Sequence, residues 1–206
     1  MIGLLAKGGL LLIPIFACSV IALAIFLERL IRLRQARLKD PSLVEGVYSA
    51  VVRGDVEAAR ALAAKQESAV SRVLDEGLSV CGGDRETVET VLSHAIEREV
   101  RHLSRYLGSL ALMGNITPLL GLLGTVIGMI KAFMAIERLG GKVNASVLAG
   151  GIWEAMLTTA VGLSVAIPVI MAYSYLNGKI DALQAEMEEA AVVLLKALKE
   201  REGAQG

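Results

Sequence analysis

The stretch GGIWEAMLTTAVGL, residues 150–163, places a single carboxylate, Glu154, inside an apolar run that extends from 147 to 173. A run of this length can cross a hydrocarbon core of about 30 Å as a helix. An ionised carboxylate in that core is costly unless it is paired or faces an aqueous cavity, so such residues usually mark an ion or proton path. The stretch therefore predicts a membrane-spanning helix whose glutamate faces a hydrated, protein-lined interior, with structural pairing between helices as the alternative.

Two further apolar runs, at 8–27 and 106–130, predict two more membrane-spanning helices. The composition agrees, since 54% of the residues are hydrophobic and the mean hydropathy is +0.59, which is too apolar for an ordinary soluble domain. The first run is longer than the apolar part of a signal peptide and lacks a cleavage site, so we interpret it as an uncleaved anchor. The fold class is an all-α integral membrane protein with three spans.

The basic residues predict the orientation of these spans. Several arginines follow the first span, whereas only Lys7 precedes it, and basic residues favour the cytoplasmic side. We therefore expect an outer N-terminal segment at 1–7, a cytoplasmic helical region at 28–105, a short outer loop at 131–146 and a cytoplasmic helical tail at 174–206. The chain has 21 basic and 21 acidic residues, and this balance argues against a nucleic-acid binder.

The cytoplasmic region shows helix start and stop signals. Asp55, after Gly54, is placed to cap one helix, and Asp84, after a glycine pair, is placed to cap the next. Apolar residues then keep helical spacing from Val88 to Leu107 with no turn signal. We therefore expect the helix that begins after Asp84 to enter the second span without a break.

The tail carries a similar apolar stripe that continues behind the third span. Its members fall at steps of three or four: Ile180, Leu183, Met187, Ala190, Leu194 and Leu198. A stripe outside the bilayer needs a partner. Neighbouring copies of the chain and packing within one subunit are both open.

The second span carries a helix face of small and hydroxylated residues. These are Thr117, Gly121, Thr125 and Gly128. The face allows close helix packing, and it could also border a pore. Pro118 in this span and Pro168 in the third each remove one helical hydrogen bond, so we expect local kinks or waters near both.

Polar residues of the third span lie at depths that match the second. Glu154 and Thr125 are both about 8–10 Å inside the outer ends of their spans, while Thr158 follows Glu154 by one turn on the same face. Thr159 points about 140° away from Glu154 on an ideal helix. Three helices cannot enclose a hydrated path for themselves, so an oligomer is expected.

Two stretches of these spans resemble a known family. TPLLGLLGTVIGMIKAF, residues 117–133, and GGIWEAMLTTAVGLSVAIPVIMAY, residues 150–173, are similar to the signature of the ExbB and TolQ proteins, which are more distantly related to MotA. The match is strong over the last two spans. The three-span order and the large first cytoplasmic loop are consistent with it over the whole chain.

The resemblance implies a proton-driven motor subunit in the bacterial inner membrane. Five copies would surround the membrane helices of an ExbD- or TolR-like single-span protein, whose membrane Asp carries protons, and movement would pass to a TonB- or TolA-like protein at the outer membrane. Thr125, Glu154 and Thr159 sit where the family has its pore-associated residues. Protons are the coupling ion and no cofactor is implied, and the short N-terminus leaves the ExbB and TolQ branches open.

Two other function classes compete with this interpretation. A self-sufficient ion channel would conduct without a partner, and a non-conducting membrane scaffold would tolerate the loss of Glu154. The sequence has no nucleophile elbow, phosphate loop or metal-ligand cluster, so no catalytic or metal-binding residue is expected and an enzyme is not predicted. Cys18 and Cys81 lack the spacing of a metal site or a disulfide framework.

Overall fold

The computed structural model describes residues 11–38, 40–138 and 145–205, and every regular element in these ranges is a helix. Seven helices follow in chain order: α1 Leu12–Ala36, α2 Ser42–Val52, α3 Val56–Ala63, α4 Ala69–Ser79, α5 Arg85–Leu103, α6 Leu107–Arg138 and α7 Ala145–Gln205. Three of them, α1, α6 and α7, are long and apolar enough to cross a membrane. The predicted fold class, an all-helical multi-pass membrane protein with three spans, is confirmed. The predicted outer segment at 1–7 lies outside the described residues.

The helices form two compact units, one with the apolar spans and one beyond them. The membrane unit consists of the described parts of residues 1–27 and 106–175, and the extramembrane unit consists of those of 28–105 and 176–206. Both α1 and α7 contribute residues to each unit, since each helix runs without interruption past the boundary.

The tail stripe is buried within the extramembrane unit of its own chain. All six predicted positions are buried there: Ile180, Leu183, Met187, Ala190, Leu194 and Leu198. The side chains of Leu92 on α5 and Leu194 on α7 approach each other at Gly77, where an added Cβ would lie 2.6 Å from one and 2.9 Å from the other. Of the two alternatives that the sequence left open, packing within one subunit is the one observed.

The predicted caps are present at the starts of α3 and α5. The Asp55 carboxylate accepts a hydrogen bond from the Ala58 backbone N–H at 2.9 Å, and Gly54 before it has a positive φ of 81°, which glycine adopts at low cost. The Asp84 carboxylate accepts from the Thr87 N–H at 3.1 Å and from the Thr87 hydroxyl at 2.6 Å. These caps satisfy backbone donors that the first helical turn leaves without a partner.

The predicted unbroken helix from residue 85 into the second span is wrong. Helix α5 ends at Leu103, α6 begins at Leu107, and Tyr106 between them has a φ of 68°. This left-handed conformation costs a non-glycine residue about 1–2 kcal/mol, so packing on either side must compensate. Leu103 and Leu107 are both buried, each in its own unit. The apolar spacing continued through the break because both helices bury their stripes, and no glycine or proline marked the boundary.

The buried stripe predicts how the tail contributes to stability. Met187→Ala removes a fully buried side chain and should cost about 2–5 kcal/mol. Val192→Ala, on the same helix at a position that is 65% exposed, is the matched control and should stay within about 0.5 kcal/mol. The buried Cys81 thiol reports opening of this unit. We expect Met187→Ala to speed maleimide labelling of Cys81 at least about tenfold, and equal rates in the two variants would contradict the packing described.

The Asp84 cap predicts a pH dependence. The hydroxyl and the backbone N–H of Thr87 hold the pKa of the Asp84 carboxyl below its ordinary value of 3.8. The cap therefore contributes its full stability above that value and loses it as the pH falls through the lowered pKa. Asp84→Asn keeps a capping oxygen but has no charge to titrate. The thermal midpoints of wild type and Asp84→Asn, measured from neutral to acidic pH, should converge as the pH falls, and a constant difference would argue against the carboxylate as the cause.

Candidate functional site

The two helices that carry the predicted site, α6 and α7, pack with their backbones close together. An added Cβ at Gly162 would lie 2.9 Å from the Thr117 carbonyl oxygen, and one at Gly121 would lie 3.0 Å from the Thr159 Cα atom. Toward the other end of the contact, a Cβ at Gly128 would lie 2.8 Å from the Ala155 Cβ atom. Only glycine permits this approach at these points. We call this contact the glycine crossing.

Two threonines are buried in the glycine crossing. The Thr117 hydroxyl donates to the Met113 carbonyl at 2.5 Å, and the Thr158 hydroxyl donates to the Glu154 carbonyl at 2.8 Å. Each bond runs back along the helix to the residue four positions earlier, which satisfies the hydroxyl without a ligand. In the single chain, Thr117, Gly121, Gly128 and Thr158 thus take part in helix packing. A pore-facing role for them stays a prediction.

Thr159 and Thr125 lie at the edge of the glycine crossing and are half-buried. The Thr159 hydroxyl donates across the helices to the Gly121 carbonyl at 2.8 Å. Interhelical hydrogen bonds of this kind contribute about 0.6 kcal/mol on average. The Thr125 hydroxyl donates to the Leu122 carbonyl at 2.6 Å. Thr125 lies one helical turn after Gly121 on α6. The two threonines therefore belong to the same side of the helix pair.

Glu154 has a charged neighbour that the hydropathy pattern does not predict. The Lys131 ammonium lies 3.7 Å from a Glu154 carboxylate oxygen, with the Glu154 side chain 33% exposed and that of Lys131 62% exposed. The apolar run ends at residue 130, which predicts that Lys131 lies in the outer loop. Helix α6 instead continues to Arg138 and holds Lys131 beside α7. The signal that could have identified it is its position one helical turn beyond Gly128, on the same helix as the small-residue face.

The charged pair and the threonine pair lie on opposite flanks of the glycine crossing. On α6, Gly128 lies between Thr125 and Lys131, which are six residues and about 120° apart. On α7, the buried Ala155 and Thr158 lie between Glu154 and Thr159, which are about 140° apart. We call these the charged flank and the threonine flank. The structure brings Thr125 and Thr159 to one flank and places Glu154 on the other.

The two prolines lie inside continuous helices. Pro118 is within α6 and Pro168 is within α7, and both helices extend for many residues on either side. Pro168 also lines an apolar groove of about 590 Å³ that α1 forms with α7, with Ser19 and Phe26 on the α1 side. Local kinks or waters at the two prolines stay a prediction.

Comparison with known proteins identifies the family. Residues 64–189, which include the whole glycine crossing and both of its flanks, match the model of the MotA/TolQ/ExbB proton channel family. The chain belongs to this family. The resemblance seen in residues 117–133 and 150–173 is therefore confirmed. The family that this match identifies consists of proton channels and not of enzymes.

Individual family members are similar over most of the chain. An ExbB homologue named for biopolymer transport from Methanothermobacter thermautotrophicus is 31% identical over 85% of this chain, which spans 62% of that protein's length. The biopolymer transport protein ExbB of Salmonella typhimurium is 31% identical over 89% of this chain and 78% of its own. The Tol-Pal system protein TolQ of Haemophilus influenzae is 39% identical over 45% of this chain and 40% of its own. The ExbB and TolQ branches of the family are thus both represented among these relatives.

The glycine crossing predicts a sharp difference between two glycines of α7. Gly162→Ala brings a Cβ against the backbone of α6, and overpacking of this kind costs about 1–3 kcal/mol. Gly150→Ala, where nothing lies within 4 Å of the added atom, is the matched control and should gain about 1 kcal/mol of helix propensity. Thermal unfolding in lipid nanodiscs measures both. A Gly162→Ala protein as stable as Gly150→Ala would show that the helices do not approach this closely.

Proposed function

We propose that this chain is the proton-conducting stator subunit of an inner-membrane motor of the ExbB–ExbD or TolQ–TolR type. The motor couples the proton-motive force to work at the outer membrane through a TonB- or TolA-like protein. The observation that carries the proposal is the family match over residues 64–189, because it includes all of α6 and the part of α7 that bears Glu154 and Thr159. The relatives named for biopolymer transport and for the Tol-Pal system support the two candidate branches.

The polar groups of the membrane unit support a proton path. A carboxylate inside a bilayer is rare and usually functional. Glu154 is partly exposed on its flank, and Thr125 and Thr159 are half-buried on theirs, so these side chains are accessible from outside the single chain. A carboxylate can bind and release a proton, while threonine hydroxyls can both donate and accept hydrogen bonds along a water-filled path. Glu154, Thr125 and Thr159 are the residues we assign to the path.

The exposed surface of the membrane unit supports an assembly of several chains. Large apolar side chains on α1, α6 and α7 are exposed, with Leu119, Phe133 and Trp153 among them. Lipid covers part of such a surface, and other protein chains cover the rest. A ring of five copies around a single-span ExbD- or TolR-like protein with a membrane Asp would complete a hydrated interior that one chain does not enclose.

The charges at the end of the first span support the orientation. Arg29, Arg32 and Arg34 follow the apolar part of α1, which favours an N-terminus in the periplasm and both the extramembrane unit and the C-terminus in the cytoplasm. Protons driven inward across the membrane release about 2.3 kcal/mol per charge per 100 mV. Protonation of the partner's Asp would change which surface of the ring it prefers, because an ionised carboxylate favours polar surroundings.

The proposal predicts that Glu154→Gln reduces proton flux when the chain is reconstituted with its single-span partner in vesicles. A positioned proton-transferring side chain contributes about 10²–10⁴-fold to a rate, so we expect a loss of at least about tenfold. Thr159→Ala should reduce flux less, because it removes one hydroxyl and no titrating group. Glu137→Gln, an exposed carboxylate on α6, is the matched control and should conduct as wild type does. Native mass spectrometry of each variant checks that the assembly is intact.

The same experiment separates the alternatives. Flux through this chain without the partner would indicate a self-sufficient channel. If neither the wild type nor any variant conducts protons when reconstituted with the partner, the chain is a non-conducting scaffold. Either result would overturn the motor assignment.

A further inference from the structure

We propose that Lys131 is the counter-ion of Glu154 and a positioning residue of the proton path. The role in proton transfer rests on the proposed function, whereas the pairing itself rests on the geometry of α6 and α7. The Lys131 ammonium lies 3.7 Å from the Glu154 carboxylate, and this is the ion pair that joins the two helices among the described residues. Its two members come from positions 23 residues apart in sequence, on different helices.

The glycine crossing fixes the backbones from which the two side chains project. An added Cβ at Gly151 would lie 2.9 Å from the Ala132 Cβ atom, and one at Gly128 would lie 3.3 Å from the Gly151 carbonyl oxygen. Lys131 directly precedes Ala132, and Glu154 follows Gly151 by about one helical turn. The crossing therefore holds the backbones of Lys131 and Glu154 within reach of each other, and the two side chains bring their charges into contact.

The pair also lowers the free-energy cost of placing the Glu154 carboxylate in a membrane. An ammonium beside the carboxylate makes the charged flank neutral overall and lowers the cost of burying the negative charge. The long apolar stem of Lys131 can cover hydrophobic surface while its charge stays near the outer end of the helix. Both side chains are partly exposed, so water or a partner chain can reach the pair.

The pair determines where the Glu154 carboxylate lies. Lys131 holds the carboxylate on the charged flank, away from Thr125 and Thr159. Lys131 acts through Glu154 and does not itself carry the proton.

A zero-length cross-link tests the pairing without any assay of function. A lipid-soluble carbodiimide activates the Glu154 carboxyl as an O-acylisourea, the neutral Lys131 amine attacks its carbonyl carbon, an amide bond forms and the urea leaves. The linked peptides lose one water in total, which mass spectrometry detects. The Lys196–Glu200 pair of α7, at 3.9 Å, is an internal control in the same sample. Lys131→Arg should abolish the cross-link, because a guanidinium is not a nucleophile under these conditions, and should leave the control link unchanged.

The cross-link result decides the pairing. We expect the amide between residues 131 and 154 in wild-type protein in nanodiscs. If the control pair is linked and peptides containing Lys131 and Glu154 are recovered unlinked, the two side chains do not pair and the inference is overturned.

Charge variants test the positioning role in proton-flux vesicles. Lys131→Met should reduce proton flux by roughly threefold or more, in keeping with the coupling between residues in direct contact. Lys131→Arg retains the positive charge and should keep most of the wild-type flux. The exchanged double variant Lys131→Glu with Glu154→Lys should assemble better than either single variant. Arg138→Met, an exposed cation two turns further along α6, is the matched control.

These outcomes distinguish the inference from the proposed function. Flux that falls in Glu154→Gln but is unchanged in Lys131→Met would leave the motor assignment standing and remove Lys131 from it. Flux that is unchanged in Glu154→Gln would remove the proposed path, whereas the cross-link would still decide whether the two side chains pair.

Discussion

The membrane unit depends on the approach of two helix backbones at glycine. Helices in lipid gain little from burying apolar surface against each other, because lipid tails are as apolar as leucine. Close van der Waals contact between backbones is the main source of association that remains, and it requires the absence of side chains at the points of contact. Gly121, Gly128 and Gly162 provide those points, and the buried Thr117 and Thr158 fill the space between them with hydroxyls bonded to their own helices.

The same contact divides the polar residues into two groups. A helix face packed this tightly has no room for water or an ion, so the polar side chains that water could reach lie at its edges. Thr125 and Thr159 occupy one edge, and Lys131 and Glu154 occupy the other. The helix contact is thus flanked by polar side chains on both sides, with the charged pair on one side and the threonines on the other. Under the proposed function, the packed face would stay rigid while the exposed groups at its edges exchange protons.

Local signals in the sequence were sufficient for much of the fold. Hydropathy and length identified three spans, and short-range chemistry at Asp55 and Asp84 identified two helix starts, because a cap involves only residues three positions apart. The break at Tyr106 had no such signal, since a left-handed tyrosine is stabilised by its surroundings and not by its neighbours in sequence. The Lys131 pair was missed for a related reason: hydropathy ends a span at the first charge, whereas a helix ends where its backbone hydrogen bonds end. The site residues could be recognised because the stretches that contain them resemble a known family. Their division between two flanks could not be predicted, because it depends on how α6 and α7 pack against each other.

The burial of the tail stripe has a consequence for the order in which the chain is made. The core around Gly77 includes Leu92, which is synthesised before the second and third spans, and Leu194, which is synthesised after them. Helices α4 and α5 are translated before α7. Until α7 has left the ribosome, the tail cannot bury their apolar faces. The extramembrane unit is therefore completed only after the second and third spans have been synthesised. A chain that ended before the tail would leave the apolar surface around Gly77 and Leu92 without the side chains that bury it.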